Sequence, residues 1–221
     1  MGDQRPLEGL EGQMKRFVVA VTALALLAAS VAAFRPPAEA CVGKTIFVGR
    51  LPGREQEVLA EIFSWMVSER TGTTIQTKSY ADSRTMQTAL QGADVDLYLE
   101  DQGVAMREIL GLPVSGNQAE LRETVRREYE QRFNLVWLEP WGMTGRSAQV
   151  AVAGPAVAAT PTLVAPVIRK DTLKKFPALS RLVNKLSGVI DNATLAKLAQ
   201  ESERRPAREV AKQFLKEKRL I

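Results

Sequence analysis

The spacing of apolar and polar positions divides the chain at one uncharged stretch, AVAGPAVAATPTLVAP (Ala151–Pro166), which carries Pro155, Pro161 and Pro166. Upstream of it, short runs rich in β-branched residues alternate with helical repeats, the pattern of an α/β fold. Thr45–Val48 reads as a buried strand. Arg54–Arg70 follows as a helix with Val58, Leu59, Ile62, Phe63, Met66 and Val67 on one face. Thr71-Gly72 closes it, and Thr73–Thr77 alternates as a second strand. Asp82 or Ser83 caps a helix running through Leu90 to Gly92. Val95–Leu99 is a third strand, followed by Glu100-Asp101-Gln102-Gly103 and a short helix bearing Met106, Ile109 and Leu110. Gln118–Phe133 is a charged helix with Leu121, Val125, Tyr129 and Phe133 toward the core. Leu135–Leu138 is another strand, Glu139–Met143 a turn, and Ala148–Val152 a last strand before the joint. Beyond the joint, Leu163–Ile168 reads as a strand and all else as helix. Asp171 caps a turn, Phe176-Pro177 opens a helix to about Leu186, and Asp191 or Asn192 starts one through Ser202. Pro206 heads the last, whose apolar face is Val210, Phe214 and Leu215.

The first forty residues stand apart from this pattern. Lys15-Arg16 precedes the uncharged run Phe17–Phe34, and Ala38-Glu39-Ala40 then leads into Cys41, the plan of a secretory signal with a small-x-small exit. Residues 1–13 are polar and precede Met14, where the biological start is expected. The apolar run is also close to the lower limit for spanning a bilayer, so an uncleaved anchor is the alternative. Cys41, directly after Ala40, is a candidate lipid acceptor. Either way the mature domain is expected outside the inner membrane, in the periplasm or cell envelope.

Composition narrows the chemistry. Cys41 is the only cysteine of the 221 residues and there is no histidine. An intramolecular disulfide and a cysteine metal cluster are therefore impossible, and most hydrolase triads and zinc sites lose their central residue. Carboxylates, Lys or Tyr could still move protons, but no nucleophile and base stand together; an enzyme is not expected, nor a cofactor. The four acids Asp94, Asp96, Glu100 and Asp101 around one strand end read as solvated or capping groups and not as a metal site. Gly43-Lys44-Thr45 echoes the end of a phosphate loop, but the upstream glycine position is Ala38. The charges of the signal segment cancel, so the mature chain keeps the net +5, spread and not clustered. That suits solubility and gives no nucleic-acid surface.

Several stretches resemble the glycine betaine/choline family of ABC-transporter substrate-binding proteins. They are Lys44–Glu61 with Gly49 and Glu55-Gln56, Gly92–Tyr98, Phe133–Pro140, and, most closely, Ala165–Leu179 through Phe214–Ile221. The resemblance implies a type II periplasmic-binding-protein-like fold, α/β with a mixed sheet flanked by helices. It also implies an ABC permease as partner and a quaternary amine or other small solute as ligand. Family members have two lobes, the second inserted into the first, and trap ligand between them in an aromatic cage by cation–π attraction.

Against that pattern this chain is expected to be a single lobe. Residues 41–152 form its first part, 153–162 a short linker in place of the second lobe, and 163–221 the part that completes it. The cage is expected to be lost: Asp101, Ser147 and, approximately, Thr162 stand where the family carries aromatics. Gln56 matches a ligand-contact position and Asp96 an acidic residue near the cleft. Tyr98 and Trp141 are the remaining aromatic candidates at the exposed edge. Two roles follow: a solute-binding component, or remnant, of a transport system, or an envelope protein-interaction module derived from one. A homodimer could supply the missing wall.

Overall fold

The computed structural model describes residues 44–145 and 161–221. The signal segment, Cys41, Ser147 and the strand expected at Ala148–Val152 lie outside the described residues.

Among the described residues five strands form one mixed sheet: β1 (Thr45–Arg50), β2 (Thr74–Ser79), β3 (Leu97–Asp101), β4 (Leu135–Trp137) and β5 (Val164–Arg169), in the order β2-β1-β3-β5-β4. β1 runs parallel to β2 and β3, whereas β5 runs antiparallel to both β3 and β4. The register Leu97↔Ile168 through Asp101↔Val164 wedges β5 between its two partners. Parallel neighbours need crossovers. Helix α1 (Arg54–Thr71) supplies the one from β1 to β2, and α2 (Ser83–Gln91) the one from β2 to β3.

Successive side chains of a strand point to opposite faces, and both faces are covered by helices. On one face Ile46, Val48, Leu97 and Ile168 pack with Val58, Leu59, Ile62, Phe63, Met66 and Val67 of α1. Three further helices join this layer: α6 (Leu179–Val183), α7 (Asn192–Glu201) and α8 (Ala207–Glu217), the last through Val210, Ala211, Phe214 and Leu215. On the other face Tyr98, Ala165 and Val167 pack with Met86 and Leu90 of α2 and with Leu121, Val125 and Tyr129 of α4 (Gln118–Phe133). Tyr129 makes edge contacts with Phe133 and Trp137, ring centroids 5.3 and 5.2 Å apart. Gly49 lets this layer close, because a Cβ there would meet Met86 Sδ at 3.0 Å.

Local chemistry sets the element ends. Asp82 accepts the backbone N–H of Thr85 at 2.8 Å and completes a capping box at the head of α2. Asn117 and Glu120 do the same for α4, which Asn134 ends with φ 58°. Asp171 sits inside the first turn of α5 (Lys170–Lys175); Arg169 occupies the cap position expected for it. Pro177 delays the next helix to Leu179, and the turn Asn184–Leu186 that follows it is 3-10. Among the described residues no helix is long and apolar enough to cross a membrane.

Candidate functional site

The carboxyl ends of β1 and β3 open into a cleft of about 340 Å³, the place where open α/β sheets gather ligands. Glu55, Gln56 and Leu59 from the start of α1, Ser83 from the start of α2, and Leu99, Glu100 and Asp101 from β3 line it. Met143, Thr144, Val164, Asn192 and Leu195 close the other side. Asn192 fixes that wall: its Nδ2 donates to Thr144 Oγ1 at 2.7 Å, and Thr144 N donates to Asn192 Oδ1 at 2.9 Å.

Glu100 is the most unusual member. Its side chain is only 3% exposed. Oε1 accepts the Ser83 hydroxyl at 3.2 Å and the Asp101 N–H at 2.9 Å, while Oε2 has no hydrogen-bond partner. Burial disfavours the ionised form and pushes the carboxyl up to about 8; the Asp101 N–H, the Ser83 hydroxyl and the nearby Tyr98 phenol oppose that rise, and the Asp101 charge adds to it. Asp101 turns the other way along the strand, is also buried, and accepts the Gly103 N–H at 2.8 Å at the head of the short helix α3 (Gln102–Val104). Gly145 lies so close that a Cβ there would overlap the Asp101 carboxylate. The helix heads around the cleft thus spend their orphan N–H groups on the chain's own acids, Asp82, Asp101 and Asp191. Among the described residues of the lining there is no lysine, arginine or aromatic ring.

The residues singled out from sequence scatter across this geometry. Gln56 and Asp101 line the cleft. Asp96 does not: it stands just before β3, at the far end from the cleft, and accepts the Phe47 N–H at 2.9 Å and the Thr172 hydroxyl at 2.7 Å, tying three segments together. Thr162 is 1% exposed, its carbonyl taking the Gly145 N–H at 2.7 Å, and it is not part of the lining. Tyr98 and Trp141, the two rings considered for the exposed edge though such rings more often belong to the core, lie in the core at 0% and 1% exposure. Tyr98 points into the α2–α4 layer and donates to Gln87 Oε1 at 2.8 Å, and burial first, then Glu100, raises its phenol well above its usual range. Trp141 packs against the α1 layer beneath a small cavity that it shares with Gln56, Leu59 and Leu99. Glu55, Ser83, Thr144 and Asn192 were not expected in the lining; the one signal for them was their place at a helix head or turn facing a strand end. Of the four acids considered around β3, Asp94 is held by Lys78 and Tyr80, which lower its carboxyl. Among the described residues no cluster suited to a metal ion occurs.

A mixed sheet with flanking helices and a cleft at its strand ends is the architecture of a periplasmic-binding-protein-like fold. The model of the family "substrate binding domain of ABC-type glycine betaine transport system" matches residues 44–153 and 150–217, and the chain belongs to that family. Its members are extracytoplasmic, bind small solutes and work with an ABC permease. A "glycine betaine/carnitine/choline ABC transporter" structure aligns at TM-score 0.68 and 11% identity, over 80% of this chain and 98% of that one. Apo YehZ from Escherichia coli gives 0.62 and 14% over 80% and 99%. Lactococcal OpuAC, closed on glycine betaine, gives 0.53 and 9% over 80% and 96%. At these identities the likeness is one of fold. The ergothioneine transport permease/ergothioneine binding protein EgtU of Helicobacter pylori (strain G27) is 34% identical over 104 residues. That match takes in 46% of this chain and 18% of EgtU, so the chain spans less than a fifth of that relative.

Proposed function

We propose that this chain is the exported solute-binding component of an ABC transport system, reduced to one lobe and without the aromatic cage for glycine betaine or choline. The observation that carries the reading is the cleft itself: a cavity at the strand ends of a family member, with no aromatic ring among the described residues that line it. Residues 1–40 act as the export signal, Cys41 is a candidate lipid acceptor, and 153–162 stand in for the second lobe. The partner is a membrane permease, with a second copy of the chain as a possible wall.

The energetics argue against tight binding of quaternary amines. A cation–π contact contributes about 0.5–2 kcal/mol, and micromolar affinity needs about −8 kcal/mol. A quaternary ammonium facing Gln56, Ser83 and Asp101 collects no such contact. Glycine betaine and carnitine would also bring a carboxylate, for which the described residues of the lining hold no lysine or arginine. Calorimetric titration of Val42–Ile221 with glycine betaine, choline, carnitine and proline betaine tests this. Silence up to millimolar ligand is expected, and saturable heat at micromolar concentration overturns the lost cage.

A further inference from the structure

We infer that the cleft takes an uncharged solute, a short aliphatic chain carrying an amide head, instead of an ion. This rests on the reading of the cleft as the solute site. The floor of the cleft is the open end of the core on the α1 side. Leu59, Met143 and Leu195 are buried members of that core, and Leu99 and Val164 lie half-buried against it. All five line the cleft. Leu99 and Val164 belong to the paired strands β3 and β5, so the apolar surface crosses from one strand to the next at the end of the sheet. Gln56, Leu59 and Leu99 also line the small cavity beneath. An aliphatic chain laid on this floor displaces water from half-buried leucine and valine, which contributes about fourfold in affinity for each methylene fully covered.

The polar groups around the floor are turned on one another. Asn192 and Thr144 hold each other, Ser83 donates to Glu100 at 3.2 Å, and Asp101 accepts the Gly103 N–H. Glu55 is engaged within the fold as well. Glu100 shares its face of β3 with Tyr98, away from Leu99, and is no part of the floor. An ionic head would therefore shed its water without a waiting counter-charge. An anion finds no lysine or arginine among the described lining residues, and a cation finds acids that already have partners. The exception is Gln56, in the first turn of α1, whose side-chain amide has no hydrogen-bond partner among the described residues. It offers a carbonyl acceptor and an NH2 donor side by side. A ligand amide matches both at once, whereas a carboxylate uses only the donor and an ammonium only the acceptor.

The test is titration of Val42–Ile221, followed by NMR shifts of the protein, with butyramide, valeramide and hexanamide and with two charged counterparts of valeramide, valerate and pentylamine. Valeramide should bind about tenfold more tightly than either ion. Affinity should climb about two- to fourfold per methylene from butyramide to hexanamide. Gln56→Ala should weaken all three amides about fivefold and keep the step per methylene. Val164→Thr, of nearly the same shape, should shrink that step and serves as the second variant should the first misfold; circular dichroism checks both. Valerate or pentylamine binding as tightly as valeramide overturns the preference for an uncharged head. Amide affinities that do not rise with chain length overturn the aliphatic floor, and unaltered amide binding in Gln56→Ala overturns the role of its amide. These three results leave the solute site standing. Silence from every probe removes both the inference and the solute reading beneath it.

Discussion

Replacing Glu100 with glutamine should remove a pH dependence of stability that the wild-type protein carries. The carboxyl has an ordinary value of 4.5 and is pushed up to about 8 in the fold. Between those values the unfolded chain has lost its proton while the folded protein keeps it. Folding then binds a proton, and stability falls by about 1.4 kcal/mol for each pH unit of the window. The stability contributed by the protonated group is complete below pH 4.5 and lost as pH rises through about 8. Over the whole window the loss approaches ~5 kcal/mol, comparable to the entire stability of a marginal domain. Urea unfolding of wild type and Glu100→Gln at intervals from pH 5 to pH 9 isolates the term. Glu61, which burial also raises, is common to both proteins and cancels in the difference. Wild type should lose about 3–5 kcal/mol against the variant from pH 5 to pH 9 and flatten above pH 8. Parallel curves, or a wild type that gains on the variant with rising pH, would refute the account of Glu100 as a desolvated carboxyl.

Two more outcomes follow from packing. Asp96→Ala strands the Phe47 N–H and the Thr172 hydroxyl and should cost about 2–4 kcal/mol in urea unfolding, with no loss of solute affinity. A variant that unfolds normally but loses binding would place Asp96 in the site after all. Gly49→Val drives branched methyls into Met86, already at 3.0 Å from a Cβ at that position. It should cost about 1–3 kcal/mol by thermal denaturation, with Gly49→Ala milder because the Met86 side chain can turn aside. Equal stability of all three proteins would mean that α2 does not close on β1 as described.

The legibility of the fold follows the range of the forces that fix each element. α4 falls where Gln118–Phe133 was expected, since its capping box and its left-handed Asn134 are both written within a few residues. β3 begins at Leu97 and not Val95, because the Val95 N–H turns back to Ala89 O, a bond no alternation of hydrophobic residues records. The faces were harder. With helices on both sides of the sheet, alternation along β3 says that Tyr98 and Leu99 point apart but not which layer receives which. The candidate site was less visible still. Ser83 and Asn192 line one cleft only because α2 and α7 start at the same end of the sheet. The environment of Glu100 depends on Ser83, seventeen positions away, and on the layer that buries both.

The placement of β5 between β3 and β4 governs the order in which the molecule can form. Everything through Trp137 can be made and still leave β3 and β4 with unpaired edges, since the strand that joins them is the last to be synthesised. Exposed edges of this kind invite pairing with other chains. Closure waits on a long-range contact, Asp101 against Val164, and long-range pairings form slowly. For a chain that its proposed signal carries through a membrane unfolded, that delay is an advantage. The sheet stays incomplete until Arg169 has been made, which holds the polypeptide open for translocation and postpones the final fold to the far side.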